Sequence, residues 1–264
     1  MSRLREPARP DILSRLAAQF ASAVAEGSTR HDSIGFRVHI WPTPDPFYRN
    51  VAIPTGPACC RPDAVAAMLA AFAEHGRLPS VEYFHELWPS LAPVLTAHGL
   101  VLDSRGQAMA LDAPPAGIAA RSAARRLTPA DPPNAIGAFL SGAASVFGQR
   151  AGLLAAGEID RFAEGLERGS LAAAWVRRGH QPVAGASLIG CGPVAELAGV
   201  WTLPAFRRQG HARACCRLLL EDFFARGGEL VWLSVHEPAA GALYAGLGFR
   251  ACGTQLNFTG DPPA

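Results

Sequence analysis

The chain has 264 residues, 49% of them hydrophobic and 17% charged, a balance that excludes a disordered polypeptide and leaves room for one or two packed domains. Its formal net charge of +2 is too small to argue for nucleic acid or an anionic membrane as a partner. All 24 basic residues are arginine, so no lysine is present to serve in catalysis.

The opening segment MSRLREPARPD is charged and Pro-broken, unlike a secretory signal, and no run approaches the roughly 18 apolar residues of a membrane span. Residues 11–26 form the first predicted helix: Ile12, Leu16, Phe20 and Val24 recur at steps of four, Asp11 is placed to cap and Gly27 to stop it. Strands are predicted over 34–40 and 48–53, the second ending at Pro54. A helix over 64–74, a short strand over 81–84 and a short helix over 91–97 follow, with closing strands at 101–102 and 109–111. Residues 112–117 (DAPPAG) read as a linker. Beyond it the pattern restarts with a strand over 124–127, a helix over 135–147 and a hairpin, 170–177 and 181–189, turning at Arg178-Gly179-His180. A strand over 196–202 breaks at Pro204. The basic turn Arg207-Arg208-Gln209-Gly210-His211-Ala212 then opens a long helix that Gly227-Gly228 ends. That helix carries an apolar face of Ala212, Cys215, Cys216, Leu219, Leu220 and Phe223, with Arg217/Glu221 and Asp222/Arg226 as i,i+4 pairs. A buried strand over 230–235, a short helix ending in Leu243-Tyr244-Ala245-Gly246-Leu247-Gly248-Phe249 and a final strand pair complete the chain.

The six cysteines are Cys59, Cys60, Cys191, Cys215, Cys216 and Cys252. None has C-x-x-C spacing, and two adjacent pairs suit neither a zinc site nor an ordinary disulfide framework. Buried, reduced thiols, a cytoplasmic location and no metal are the expectations.

The halves read as one unit used twice. Pro54 and Pro204 both end a strand before a helix, His85-Glu86 and His236-Glu237 both follow the next strand, and Gly99-Leu100 and Gly248-Phe249 both end the short helix. The offsets are 150, 151 and 149 residues. Two domains are therefore expected, over 1–114 and 118–264.

The order strand, R-x-x-G-x-A turn, helix, strand and L-Y-x-x-L-G-F, spanning about residues 121–259, resembles the GNAT superfamily of acyl-CoA-dependent N-acetyltransferases. The resemblance implies an α/β fold of two GNAT-like domains, each a mixed, mostly antiparallel sheet flanked by helices. It also implies transfer of an acetyl group from acetyl-CoA to a primary amine by direct attack. Free amides at a helix N-terminus, backed by the helix dipole, suit a phosphate. The backbone of Arg208, Gln209, Gly210, His211, Ala212 and Arg213 would then hold the pyrophosphate, with Arg207 and Arg208 adding charge. The backbone of Val200, Trp201 and Thr202 would pair with the pantetheine arm like an added strand, one amide polarising the thioester carbonyl. Tyr244 is the implied general acid for the leaving thiolate. Glu196, the only carboxylate on its strand, is the candidate base, directly or through a water. His236 is a weaker pocket candidate, and Glu237 stands where relatives often carry Asn.

The first half lacks these groups. Its corresponding turn, Thr55-Gly56-Pro57-Ala58-Cys59-Cys60-Arg61-Pro62, has two prolines that remove amide donors, and Leu95 stands in the place of Tyr244. It reads as a degenerate GNAT-like domain. A non-catalytic acyl-CoA-binding or regulatory module and transfer of a longer acyl group are the alternative readings. The acceptor amine and the oligomeric state stay open.

Overall fold

The structure is a computed structural model that describes residues 9–42, 50–116, 123–147, 157–190 and 192–260. In chain order the first elements are α1 (Arg9–Ala25), β1 (Thr29–Ser33), β2 (Phe36–Ile40), β3 (Val51–Pro54), α2 (Pro62–Glu74), β4 (Ser80–Phe84), α3 (Leu91–Ala97) and β5 (Val101–Leu111). They are followed by β6 (Arg125–Leu127), α4 (Pro133–Val146), α5 (Glu158–Arg168), β7 (Leu171–Arg178), β8 (Gln181–Ile189) and β9 (Val194–Thr202). The last are α6 (His211–Ala225), β10 (Leu230–Val235), α7 (Pro238–Ala245) and β11 (Arg250–Thr259).

Two compact units emerge, and they do not follow the expected division at residues 114–118. The first comprises residues 1–109, 234–238 and 251–264, the second residues 110–233 and 239–250. The reason lies in the last strand. β11 is not half of a closing hairpin, as expected, but one long strand laid antiparallel on β4, with Gln255 opposite Phe84 and Thr259 opposite Ser80. The first unit's strand order is therefore β1-β2-β3-β4-β11-β5, and β5 is likewise a single 11-residue strand where two short ones were expected.

In the first unit β1, β2 and β3 form an antiparallel meander, while β4 runs parallel to β3. A parallel return needs a crossover, which α2 supplies. Met68 and Phe72 of α2 pack with Phe36, Val38 and Val81 in one apolar cluster. The single strand predicted over 34–40 is the second arm of a hairpin that turns at Gly35, φ +71. A side chain there would strike the backbone of Ala58 and Cys59, so only glycine fits. Helix α1 buries Leu13, Leu16 and Gln19 rather than the 12/16/20/24 stripe, because its inward face is turned by about one residue.

The second unit repeats the scheme in the order β10-β9-β8-β7-β6. β7, β8 and β9 are antiparallel, α6 is the crossover, and β10 runs parallel to β9. β8 is buried almost end to end, as expected of a central strand covered on both faces. Phe139 of α4 and Leu166 of α5 cover one face with Trp175 and Trp201. The expected i,i+4 pairs on α6 are present, at 2.7 Å for Arg217–Glu221 and 2.9 Å for Arg226–Asp222. Among the described residues no helix is long and apolar enough to cross a membrane. Cys59, Cys60, Cys215, Cys216 and Cys252 are free thiols, while Cys191 lies outside the described residues.

Candidate active site

The site is built where β9 gives way to α6. β9 begins inside the sheet, its first residues paired on both sides: Glu196 lies opposite Ile189 of β8 and Trp232 of β10. The parallel ladder to β10 joins Val194, Ala195 and Glu196, and none of the later β9 residues is registered against β10. On the other side the register with β8 slips between Gly185/Ser187 and Trp201/Ala198, so β9 carries one extra residue there. Gly199, φ +56, sits in this bulge. The Leu203 N–H donates to Val183 of β8 at 2.9 Å, whereas the preceding Thr202 carbonyl turns away and accepts from Arg207 Nε at 3.3 Å. By the alternation of a strand, Val200 shares the outward direction of Thr202 and Trp201 does not. Of the three expected backbone partners, Trp201 is thus turned to β8. Its indole is core, 5.7 Å centroid to centroid from Phe139. The bulge escaped the sequence reading, although a glycine inside a strand was its visible mark.

The turn after β9 passes through a 3-10 segment (Pro204–Phe206), and Arg208 (φ 64) and Gly210 (φ 78) both adopt left-handed conformations. Arg208 is the one non-glycine with positive φ among the described residues, which marks this turn as strained. A Cβ at Gly210 would meet nothing within 4 Å, so the glycine answers a conformational need and leaves open space in front of the helix. The Gly210 carbonyl accepts the first helical bond, from Ala214 at 3.0 Å, and no side chain caps α6. The first-turn amides, including His211, Ala212 and Arg213, lack a capping side chain. Arg207, Arg208, Gln209 and Gly210 are exposed. The Arg213 side chain is committed elsewhere, donating to the Gly246 carbonyl just beyond α7 at 2.8 Å.

The matching turn of the first unit is closed. In its 3-10 segment (Pro57–Cys60) the Cys59 amide donates to Gly56 and the Arg61 amide to Ala58, each at 3.0 Å. The Ala64 amide donates to Asp63 Oδ1 at 3.0 Å, and the Gly35 hairpin lies directly on the Cys59 nitrogen. Leu95, where the second unit has Tyr244, is fully buried core.

Two proton-transfer candidates stand in the second unit's elements. Glu196 is half-buried on β9 and has no ion-pair partner among the described residues; desolvation alone pushes its carboxyl from 4.5 up to about 7. Tyr244, half-buried on α7, sets its ring edge-on to Phe249 at 6.1 Å. Burial, then the nearby Cys216 thiol, raises its phenol above the ordinary value of 10, so it stays protonated at neutral pH. His236 and Glu237 are exposed beyond β10, and a Cβ on Gly106 of β5 would crowd the His236 ring, at 2.9 Å from Cε1. Among the described residues no group of three or more His, Cys, Asp or Glu is arranged to hold a metal.

Residues 149–249 match the sequence model of the Acetyltransferase (GNAT) family. The fold is similar to that of a GCN5-related N-acetyltransferase from Kribbella flavida (TM-score 0.76, 23% identity, 96% of each chain). It is also similar to a GCN5-related N-acetyltransferase from Sphaerobacter thermophilus, with a TM-score of 0.62 and 14% identity over 98% of this chain and 96% of that one. A tandem GNAT protein from the clavulanic acid biosynthesis pathway shares the fold with a TM-score of 0.58 and 16% identity, over 97% of this chain and 98% of that one. No curated protein matches the chain. At these identities the structural likeness establishes the fold, and the family match falls on the half that holds the open turn. The chain has the fold of tandem GNAT proteins, and residues 149–249 of its second half match the GNAT family. Acyl transfer is the class of chemistry that goes with it.

Proposed function

We propose that the second unit is an N-acetyltransferase that moves an acetyl group from acetyl-CoA to a primary amine by direct attack. The observation that carries the reading is the contrast between the two repeats. One helix start keeps free amides, open space and exposed arginines beside a half-freed strand edge, while the other begins at a proline, has its Ala64 amide taken by Asp63 and is covered at Cys59 by the Gly35 hairpin. A pyrophosphate fits the first and is shut out of the second.

The reaction needs an anchor, an oxyanion partner, a base and an acid. Amides of the Gly210–Arg213 turn, with Arg207 and Arg208, would hold the pyrophosphate. Outward backbone groups of Val200 and Thr202 would pair with the pantetheine amides, and a β9 N–H would stabilise the charge that develops on the thioester oxygen. Glu196, with its carboxyl poised near 7, accepts the proton that the ammonium must lose before its lone pair attacks the carbonyl carbon. As the C–S bond breaks, the Tyr244 phenol gives its proton to the departing thiolate. The second proton, shed by the nitrogen once it is bonded to the carbonyl carbon, passes through water to the tyrosinate, and Glu196 returns its proton to solvent.

Calorimetric titration with acetyl-CoA tests the assignment of one site to one half. One ligand per chain is expected; two would show that the first unit kept a pocket despite its closed turn, and none at millimolar ligand would leave an interaction module. Tyr244→Phe is expected to lower turnover by about 100-fold, in the range of general acid catalysis. Acetyl-CoA affinity should change less than about twofold. Thiol release at saturating acetyl-CoA checks this, and undiminished turnover would remove Tyr244 as the acid.

A further inference from the structure

Several described arginines of the second unit are paired with carboxylates. Arg125, Arg126, Arg168, Arg217 and Arg226 each face a carboxylate: Asp131, Asp222, Glu164, Glu221 and, again, Asp222. Arg178, Arg207 and Arg208 have no carboxylate partner among the described residues, and the topology collects them at one end of the sheet. Arg178 pairs with Gln181 to close the β7–β8 hairpin, and Ala184 pairs with Thr202. The Leu203 amide reaches Val183, and Arg207 folds back on the Thr202 carbonyl. The hairpin tip therefore runs out beside residues 204–208. Burial, then the charge of Arg178, lowers the His211 imidazole at the first position of α6, which places that guanidinium near the helix start. Arg177, the neighbouring arginine, is used locally: it lies over the Trp175 ring at 5.2 Å and reaches His180 Nδ1 at 3.4 Å. A Cβ on Gly179 would meet nothing within 4 Å, so the tip is open.

Cations gathered without counter-charge repel one another, and such a cluster suits an anionic ligand. Arg207, Arg208 and the helix amides answer a pyrophosphate. Arg178 is surplus to that, arrives from a different element, and suits a second anionic group on the same ligand. CoA carries such a group, a phosphate monoester one ribose away from the pyrophosphate, with a charge near −2 at neutral pH and oxygens that match a guanidinium fork. Resting on the acyl-CoA reading above, we propose that Arg178 is the specificity residue for the 3′-phosphate of CoA and makes this unit discriminate CoA from 3′-dephospho-CoA.

Calorimetric titration of the full chain and its Arg178→Gln variant with CoA and with 3′-dephospho-CoA tests this. The full chain is expected to bind CoA at least about tenfold more tightly than the dephospho form, in the range for a charge-assisted phosphate contact. Arg178→Gln should bring the two affinities within about twofold of each other while leaving that for 3′-dephospho-CoA unchanged, which also shows that the variant is folded. Equal binding of both ligands by the full chain, or a preference that survives Arg178→Gln, overturns the proposal. Binding of neither ligand by the full chain overturns the acyl-CoA reading itself and the proposal with it.

Discussion

Glu196→Gln is expected to lower turnover by about 100-fold or more and, in the same protein, to raise stability above neutral pH. The first effect is the loss of the group that takes the ammonium proton. In the unsubstituted chain the logarithm of turnover should fall by one for each pH unit below about 7, where the carboxyl is protonated and cannot accept; in the Gln variant that break should vanish. The second effect follows from linkage. The folded carboxyl titrates near 7 against an ordinary value of 4.5, so the folded state binds the proton more tightly than the unfolded state does. Below 4.5 the group is neutral in both states and costs nothing. As pH rises through 7 the folded protein must carry a desolvated charge without a partner, and the cost reaches its full value above that. Glutamine never ionises, so the variant should gain about 2 kcal/mol at pH 8 and almost nothing at pH 4, allowing for the residue's partial exposure. Denaturant unfolding at the two pH values and a pH–rate profile of thiol release check both signs. Turnover that keeps its break near pH 7 in the variant would exclude Glu196 as the base.

Gly210→Glu is expected to weaken acetyl-CoA binding by about 100-fold or more. A carboxylate set at the mouth of the anion site, about 5 Å from a phosphate, costs about 3 kcal/mol at the effective dielectric of a protein surface, and 1.4 kcal/mol is tenfold in affinity. Folding should suffer far less. The introduced Cβ meets no neighbour, so the structural cost is the left-handed backbone at φ 78, about 1–2 kcal/mol for a residue with a side chain. Gly210→Asn separates the causes, since Asn tolerates that conformation and carries no charge; it should retain affinity to within about tenfold. Titration calorimetry beside thermal unfolding distinguishes the outcomes. Equal losses in the two variants would place the effect in the backbone rather than in repulsion of a bound anion.

The paired repeats show how much the local sequence can decide. Pro57 and Pro62 announce that the first helix start lacks donors, because a proline has no N–H in any fold. The open start at Gly210 is legible in the same way: a glycine between a basic turn and an apolar helix leaves amides without a capping side chain. Tyr244 and Leu95 also separate on chemistry alone, one carrying a transferable proton and the other none.

Other features depended on partners distant in sequence. The first turn is closed as much by Gly35, 24 residues before Cys59, as by its own prolines. β5 and β11 are each one long strand where local sequence suggests a pair, and β11 runs unbroken along β4, whose backbone takes its bonds. α1 turns its buried face to Leu13 and Leu16 because the sheet beneath it, not its own periodicity, chooses the stripe. The Glu196 carboxyl shows the same division. Its presence as the lone carboxylate on β9 is a property of the chain, whereas its titration near 7 comes from the desolvating shell that folding builds around it. Sequence by itself determined which groups this protein owns and the order of its repeated unit, because residue chemistry and short-range periodicity are local. Tertiary structure alone decided what covers the first turn, where β9 bulges and which arginines are brought to one end of the sheet, because each depends on what a distant segment places against it.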